Sequence, residues 1–128
     1  MPGRRRRQRR GRSRRGVWFL EPVLLLLLHQ GPSHGYTLIE QLSAFGLESL
    51  HPSVAYRALR DMDEKGCVTS NWDVDETQGP PRRVYRLTAQ GDEVLGAHMQ
   101  DLHETHEQIG DLIEAYSRHI EEGGGEHH

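Results

Sequence analysis

The chain has 128 residues, a single cysteine and a formal net charge of −3, which bounds it to one small domain with at most an appended helix. The lone Cys67 excludes an internal disulfide framework and suits a reducing cytosol. Residues 17–28 form the longest apolar run, too short for a membrane span and interrupted by Glu21 and Pro22, and no small-residue cleavage site follows the Arg-rich start.

The net charge hides an asymmetry. Residues 1–16 carry nine arginines and no acid, whereas residues 17–128 carry seven Lys/Arg against nineteen Asp/Glu. A basic arm on an acidic body points to a polyanionic partner for the arm. Its sequence, MPGRRRRQRRGRSRRG, has almost nothing to bury and is expected to be disordered. Arg4, Arg5, Arg6, Arg7, Arg9, Arg10, Arg12, Arg14 and Arg15 are candidate contacts to phosphates or to a minor groove. The plainer alternative is a solubilising or targeting tail, although a transit peptide would interleave apolar residues.

Residues 21–29 read as a first helix with Pro22 just inside its start and an all-round apolar run from Val23 to Leu28, so it should be buried on most sides. Gly31-Pro32 ends it. Residues 33–45 read as a second helix with Leu38, Ile39 and Leu42 inward and Gly46 at its end. Tyr36 and Thr37 fall near its N-terminus, where backbone N–H groups favour a phosphate; His34 reads as a local cap or turn residue. Residues 47–50 are expected to form a short strand.

Residues 51–66, HPSVAYRALRDMDEKG, carry the strongest pattern. Ala55, Ala58, Leu59 and Met62 follow the i, i+3, i+4, i+7 rule and make one buried stripe. Ser53, Tyr56, Arg57 and Arg60 share the outward face, where they can hydrogen-bond, stack and carry positive charge. Pro52 suits the first turn and Gly66 the stop. An amphipathic surface helix fits this stretch alone. The segments after it favour a DNA-recognition helix. Residues 67–72 and 84–87 read as strands, joined by the loop 73–83, DVDETQGPPRR, which Pro80 and Pro81 stiffen. A third helix followed by a ribbon with a basic tip is the winged helix-turn-helix pattern, with Arg82, Arg83 and Arg86 as phosphate contacts of the wing. The alternative is a surface hairpin with incidental arginines.

These residues resemble the PadR family of bacterial and archaeal transcriptional regulators. The resemblance is carried by Leu24 to Leu28 with Gly31-Pro32 and His34-Gly35-Tyr36; by Pro52, Ser53, Tyr56, Leu59 and Arg60; by Gly66, Val68 and Trp72; and by Gly79-Pro80-Pro81-Arg82-Arg83, Tyr85-Arg86-Leu87-Thr88 and Gly91. It covers about residues 20–92. The resemblance implies a dimeric winged-helix repressor on a pseudo-palindromic operator, with Tyr36, Ser53, Tyr56, Arg60, Arg82 and Arg83 on the DNA. Arg57 joins them only by its place on the outer face. Some members hold flat ligands between tryptophans at the dimer centre, and no tryptophan lies on the C-terminal helix here.

Residues 88–122 read as one long helix with Thr88 as N-cap. Leu95, Met99, Leu102, His106, Ile109, Ile113, Tyr116 and Ile120 recur in alternating steps of four and three, a heptad seam that suits homodimerisation. A helix packed on its own domain is the alternative. Leu112 lies beside the seam. His106 is its polar break and can set register or titrate near neutrality. His103 and His106, with Glu107 beside them, are candidate metal ligands, but no further donors complete a set. No cofactor is called for, and no phosphate-cradling loop or nucleophile elbow supports an enzyme.

The expected architecture is mainly α with a small β-wing: a disordered arm over 1–16, a winged helix-turn-helix domain over 17–88, a dimerisation helix over 89–122 and a flexible tail over 123–128. The expected partners are a double-stranded DNA operator, a second copy of the chain and a small-molecule inducer, with no membrane and a cytoplasmic location. Two readings from other classes stand beside it: an RNA-binding protein acting through the arm, and a metal-sensing dimer built on His103 and His106.

Overall fold

The computed structural model of the chain describes residues 18–73 and 81–123. Their elements run in the order α1 (18–29), β1 (Ser33–His34), α2 (Gly35–Gln41) continued by a 3-10 turn at Leu42–Phe45, α3 (Pro52–Glu64), β2 (Val68–Asp73), β3 (Arg82–Leu87) and α4 (Ala89–Gly123). This is a mostly helical chain with a small antiparallel sheet, the winged-helix class expected from the sequence. Two compact units divide between Leu95 and Gly96.

In the first unit the core is continuous. Val23, Leu24, Leu25, Leu27 and Leu28 of α1 are buried, as the all-round apolar run requires. The helix already covers residue 18, earlier than expected, because Leu20 belongs to the same buried set; Pro22 is therefore not at its start. Leu38 and Leu42 follow from α2 and its 3-10 extension, and Ala55, Leu59 and Met62 from α3. Residues 47–50 form turns rather than the expected strand. Leu47 is a buried anchor whose N–H bonds back to the Leu42 carbonyl, which commits the backbone to a turn.

The sheet has three strands in the order β1-β3-β2, one more than the expected ribbon. Ser33 and His34 pair with Tyr85 and Val84, while Val68 to Asp73 pair with Leu87 to Arg82. Tyr85 is thus flanked on both sides, and it is buried.

The end of α3 is set by Gly66, at φ +84° in the left-handed region that only glycine enters at low cost. From there the Cys67 N–H reaches the Met62 carbonyl and the Gly66 N–H the Asp63 carbonyl, the Schellman pair of bonds. The same corner receives α4. The Thr88 hydroxyl lies 2.6 Å from the Gly66 carbonyl and 3.0 Å from that of Cys67, and it accepts the Gly91 N–H at 2.9 Å. The Gln90 amide donates to the Lys65 carbonyl at 3.0 Å. Thr88 therefore caps α4, as expected, and also closes off α3. Cys67 is buried beside this corner, and burial pushes its thiol up from the usual range.

The second unit is the remainder of the helix, residues 96–123. Among the described residues no helix is long and apolar enough to cross a membrane.

Candidate nucleic-acid interface

The amphipathic spacing of α3 turns Ser53, Tyr56, Arg57 and Arg60 away from the buried Ala55, Leu59 and Met62, and all four are exposed. Pro52 occupies the first turn, as expected. The residue before it does more than the sequence reading assigned. His51 is the N-cap, and its Nδ1 accepts the Ser53 backbone N–H at 3.1 Å while lying 2.8 Å from the Ser53 hydroxyl. The imidazole thus holds Ser53 at the exposed start of α3.

Beside this face lies an open cleft of about 560 Å³ lined by His34, Gly35, Tyr36, Tyr56, Arg82, Arg83 and Tyr85. Tyr36 and Tyr56 come from α2 and α3, the two arginines from the outer end of β3. Gly35 lets them meet: a Cβ there would stand 2.8 Å from the Tyr56 ring and 3.4 Å from that of Tyr85. Tyr85 links the cleft to the core. Tyr36 is 66% exposed. A hydrogen bond to Glu40, reinforced by its charge, raises the phenol above its ordinary pKa. The described lining holds two guanidiniums, two phenols reaching the opening and one imidazole, with the carboxylates of Glu40 and Asp73 beside Tyr36 and His34 at its edge. That donor set can take an anion, and planar guanidiniums suit a phosphate.

The His34 Nδ1 is buried without a hydrogen-bond partner, and its Nε2 lies 3.9 Å from Asp73 Oδ2 at the end of β2. The backbone places His34 at the N-cap of α2, but its side chain makes no cap bond there.

Arg86 separates from the other wing arginines. It stands on the opposite face of β3 from Tyr85 and lines a different groove with His29, Thr88 and Asp92. Of the three arginines expected on the wing, Arg82 and Arg83 line the cleft and Arg86 lines this second groove, although strand alternation puts Arg82 and Arg86 on one face and Arg83 on the other. Thr37, Arg57 and Arg60 are exposed outside the cleft lining. The arm arginines and residues 74–80 of the wing loop lie outside the described residues. His34, Gly35, Tyr85 and His51 were missed as site residues by sequence reasoning. The alternation of β3 could have flagged Tyr85, two residues from Arg83, whereas Gly35 had no signal beyond its place before Tyr36.

Along α4, Met99, Ile109, Leu112, Ile113, Tyr116 and Ile120 are exposed, Leu102 is half-buried and His106 is exposed. Leu95 departs from the proposed seam: it is 6% exposed and belongs to the core of the first unit. The heptad spacing continues into that core, so periodicity alone could not mark where one use of the helix stops. His103 Nε2 lies 3.3 Å from Glu107. Among the described residues no three His, Cys, Asp or Glu side chains converge on a metal position.

Comparison with known proteins places the chain among related regulators. The transcriptional regulator PadR-like family matches residues 23–97. No curated protein matches the chain. Among solved structures, one described as a conserved protein of unknown function and potential transcriptional factor is 37% identical, with a TM-score of 0.70, over 81% of this chain and 92% of its own. A candidate transcriptional regulator from Thermoplasma acidophilum is 31% identical, with a TM-score of 0.67, over 77% and 93%. A PadR-like transcription factor from Bacteroides fragilis is 28% identical, with a TM-score of 0.65, over 80% and 98%. The chain belongs to the PadR-like family of transcriptional regulators, a family of regulators rather than enzymes.

Proposed function

We propose that the protein is a homodimeric, operator-binding repressor that acts in the cytoplasm and responds to a small-molecule inducer. The observation that carries the DNA-binding part is the cleft joining Tyr36 and Tyr56 to Arg82 and Arg83, next to the exposed Ser53, Arg57 and Arg60 of α3. In this reading α3 enters the major groove, the cleft grips a backbone phosphate, and the arm adds contacts to phosphates or the minor groove. Arg86, in the groove with His29, Thr88 and Asp92, is a phosphate contact apart from the cleft.

The exposed stripe from Met99 to Ile120 supports homodimerisation. Two copies paired along it would read half-sites about one helical turn apart, or a multiple of it. An inducer acting at the seam would lower operator affinity; unchanged affinity across candidate ligands would count against that step.

A fluorescence-anisotropy titration tests the whole reading. The probe is the duplex upstream of the protein's own gene, with a scrambled duplex as control and two salt concentrations. The expected result is preference for the upstream duplex with two protomers per site. Arg60→Ala or Tyr56→Ala should erase that preference. Deleting residues 1–16 should weaken both duplexes alike and flatten the salt dependence, whose slope scales with the phosphates neutralised. If arm deletion abolishes binding while Arg60→Ala and Tyr56→Ala change nothing, the recognition-helix reading is wrong and an RNA partner for the arm becomes the better one.

A further inference from the structure

The wing carries an aromatic side chain that the donor set of the cleft does not include. Along β2, Val68 is buried and the Ser70 hydroxyl donates to Asp63 of α3 at 2.7 Å, so this face of the strand turns toward the core and α3. Trp72, two residues further, lies on the same face. It is 59% exposed, because the strand has by then run past the end of the core. Its cross-strand partner is Arg83, which in turn shares the face of Tyr85. The Arg83 Cζ sits 4.9 Å from the centroid of the Trp72 ring, within cation–π range.

The two arginines of the cleft thus have different neighbours. Arg82 stands across from Asp73, on the other face of β3, and a guanidinium can be engaged either at its N–H donors or on its planar face. A ring face engages it from above and leaves the donors in the guanidinium plane free. An arginine near a strand end would otherwise spread over many rotamers, and ordering it on contact costs affinity.

Building on the duplex-binding reading above, we propose that Trp72 is a positioning residue. Its indole face holds the Arg83 guanidinium at the cleft, with the N–H fork free for a phosphate.

The test uses the full chain and the fluorescein-labelled duplex from upstream of its own gene. Trp72→Ala should weaken binding roughly fivefold, the scale of one exposed cation–π contact converted to affinity. Trp72→Tyr, which keeps a π face, should bind nearly as the wild type. Trp72→Leu, which keeps only apolar bulk, should behave like the alanine variant. In an Arg83→Ala background, Trp72→Ala should add nothing, since the two residues act as one contact.

Wild-type affinity in Trp72→Leu, or independent and additive effects of Trp72→Ala and Arg83→Ala, would overturn the positioning role while leaving the duplex reading intact. A wild-type chain that binds neither this duplex nor its scrambled control, or an Arg83→Ala chain that binds as the wild type, would overturn the grip of the cleft on DNA and this proposal with it.

Discussion

The two units use the same kinds of side chain to opposite ends. In residues 18–95 the leucines of α1, with Leu38, Leu59, Met62 and Leu95, are closed off from water. In residues 96–123 Ile109, Leu112, Ile113, Tyr116 and Ile120 all stand open. Burying such a side chain stabilises by about 1.5–3 kcal/mol. The first unit has collected that stabilisation within one chain, whereas the second has left it available to an association. A helix that is sound in its backbone but open along its apolar stripe is complete as secondary structure and incomplete as packing.

Three substitutions and one labelling experiment test that contrast. The largest effect is expected from Ile113→Asp. In a symmetric dimer each substitution acts twice, so the loss should exceed about 4 kcal/mol, more than a hundredfold in dimer Kd. Sedimentation velocity should find a monomer whose helical signal from the first unit is intact; an unchanged dimer would remove the stripe from the interface. Leu95→Ala should do the reverse. It opens a cavity in the first unit at about 2–3 kcal/mol, lowering the urea midpoint while leaving association unchanged at protein concentrations well above Kd.

Gly35→Ala is smaller in stability and sharper in function. The added methyl group must displace the Tyr56 ring. That crowding costs about 1–3 kcal/mol, partly offset by about 1 kcal/mol of helix propensity. The melting temperature should therefore fall by no more than about 10–15 °C, while affinity for the upstream duplex falls several-fold in the anisotropy titration. The smallest effect concerns Cys67. Its raised pKa and burial keep it a thiol at neutral pH, so Ellman's reagent should label the native chain far more slowly than the urea-unfolded one. Fast native labelling would mean that the first unit opens locally near the α3–β2 corner.

Most of the first unit was legible because its signals are local and periodic. The 3.6-residue spacing of α3, the apolar run of α1, Gly66 as a stop and Thr88 as a cap each depend on a few neighbours in the chain. What was hidden depended on partners far away in sequence. The strand at Ser33–His34 is two residues long and exists only because β3 runs beside it; two residues carry no periodicity. Leu47 to Leu50 offered apolar side chains without the hydrogen-bond partner that a strand needs. For the site, the exposed face of α3 could be read from spacing. The separation of Arg86 from Arg82 and Arg83 was not readable from strand alternation, which groups Arg86 with Arg82, and Gly35 beneath Tyr56 stood out only as part of the His34-Gly35-Tyr36 motif. In the second unit a heptad pattern identified the stripe but could not distinguish Leu95, spent on the core, from Ile113, still open.

The corner at Thr88 has a mechanical consequence. One hydroxyl, one side-chain amide and a backbone N–H tie the first turn of α4 to the last residues of α3 and the start of β2. There is no slack segment between them, since β3 ends at Leu87 and α4 begins at Ala89. A tilt imposed on the first turn of α4 must therefore either break these bonds or turn the C-terminal end of α3 with it. Within the first unit the junction acts as a crank rather than a hinge, gearing α3 to the first turn of α4.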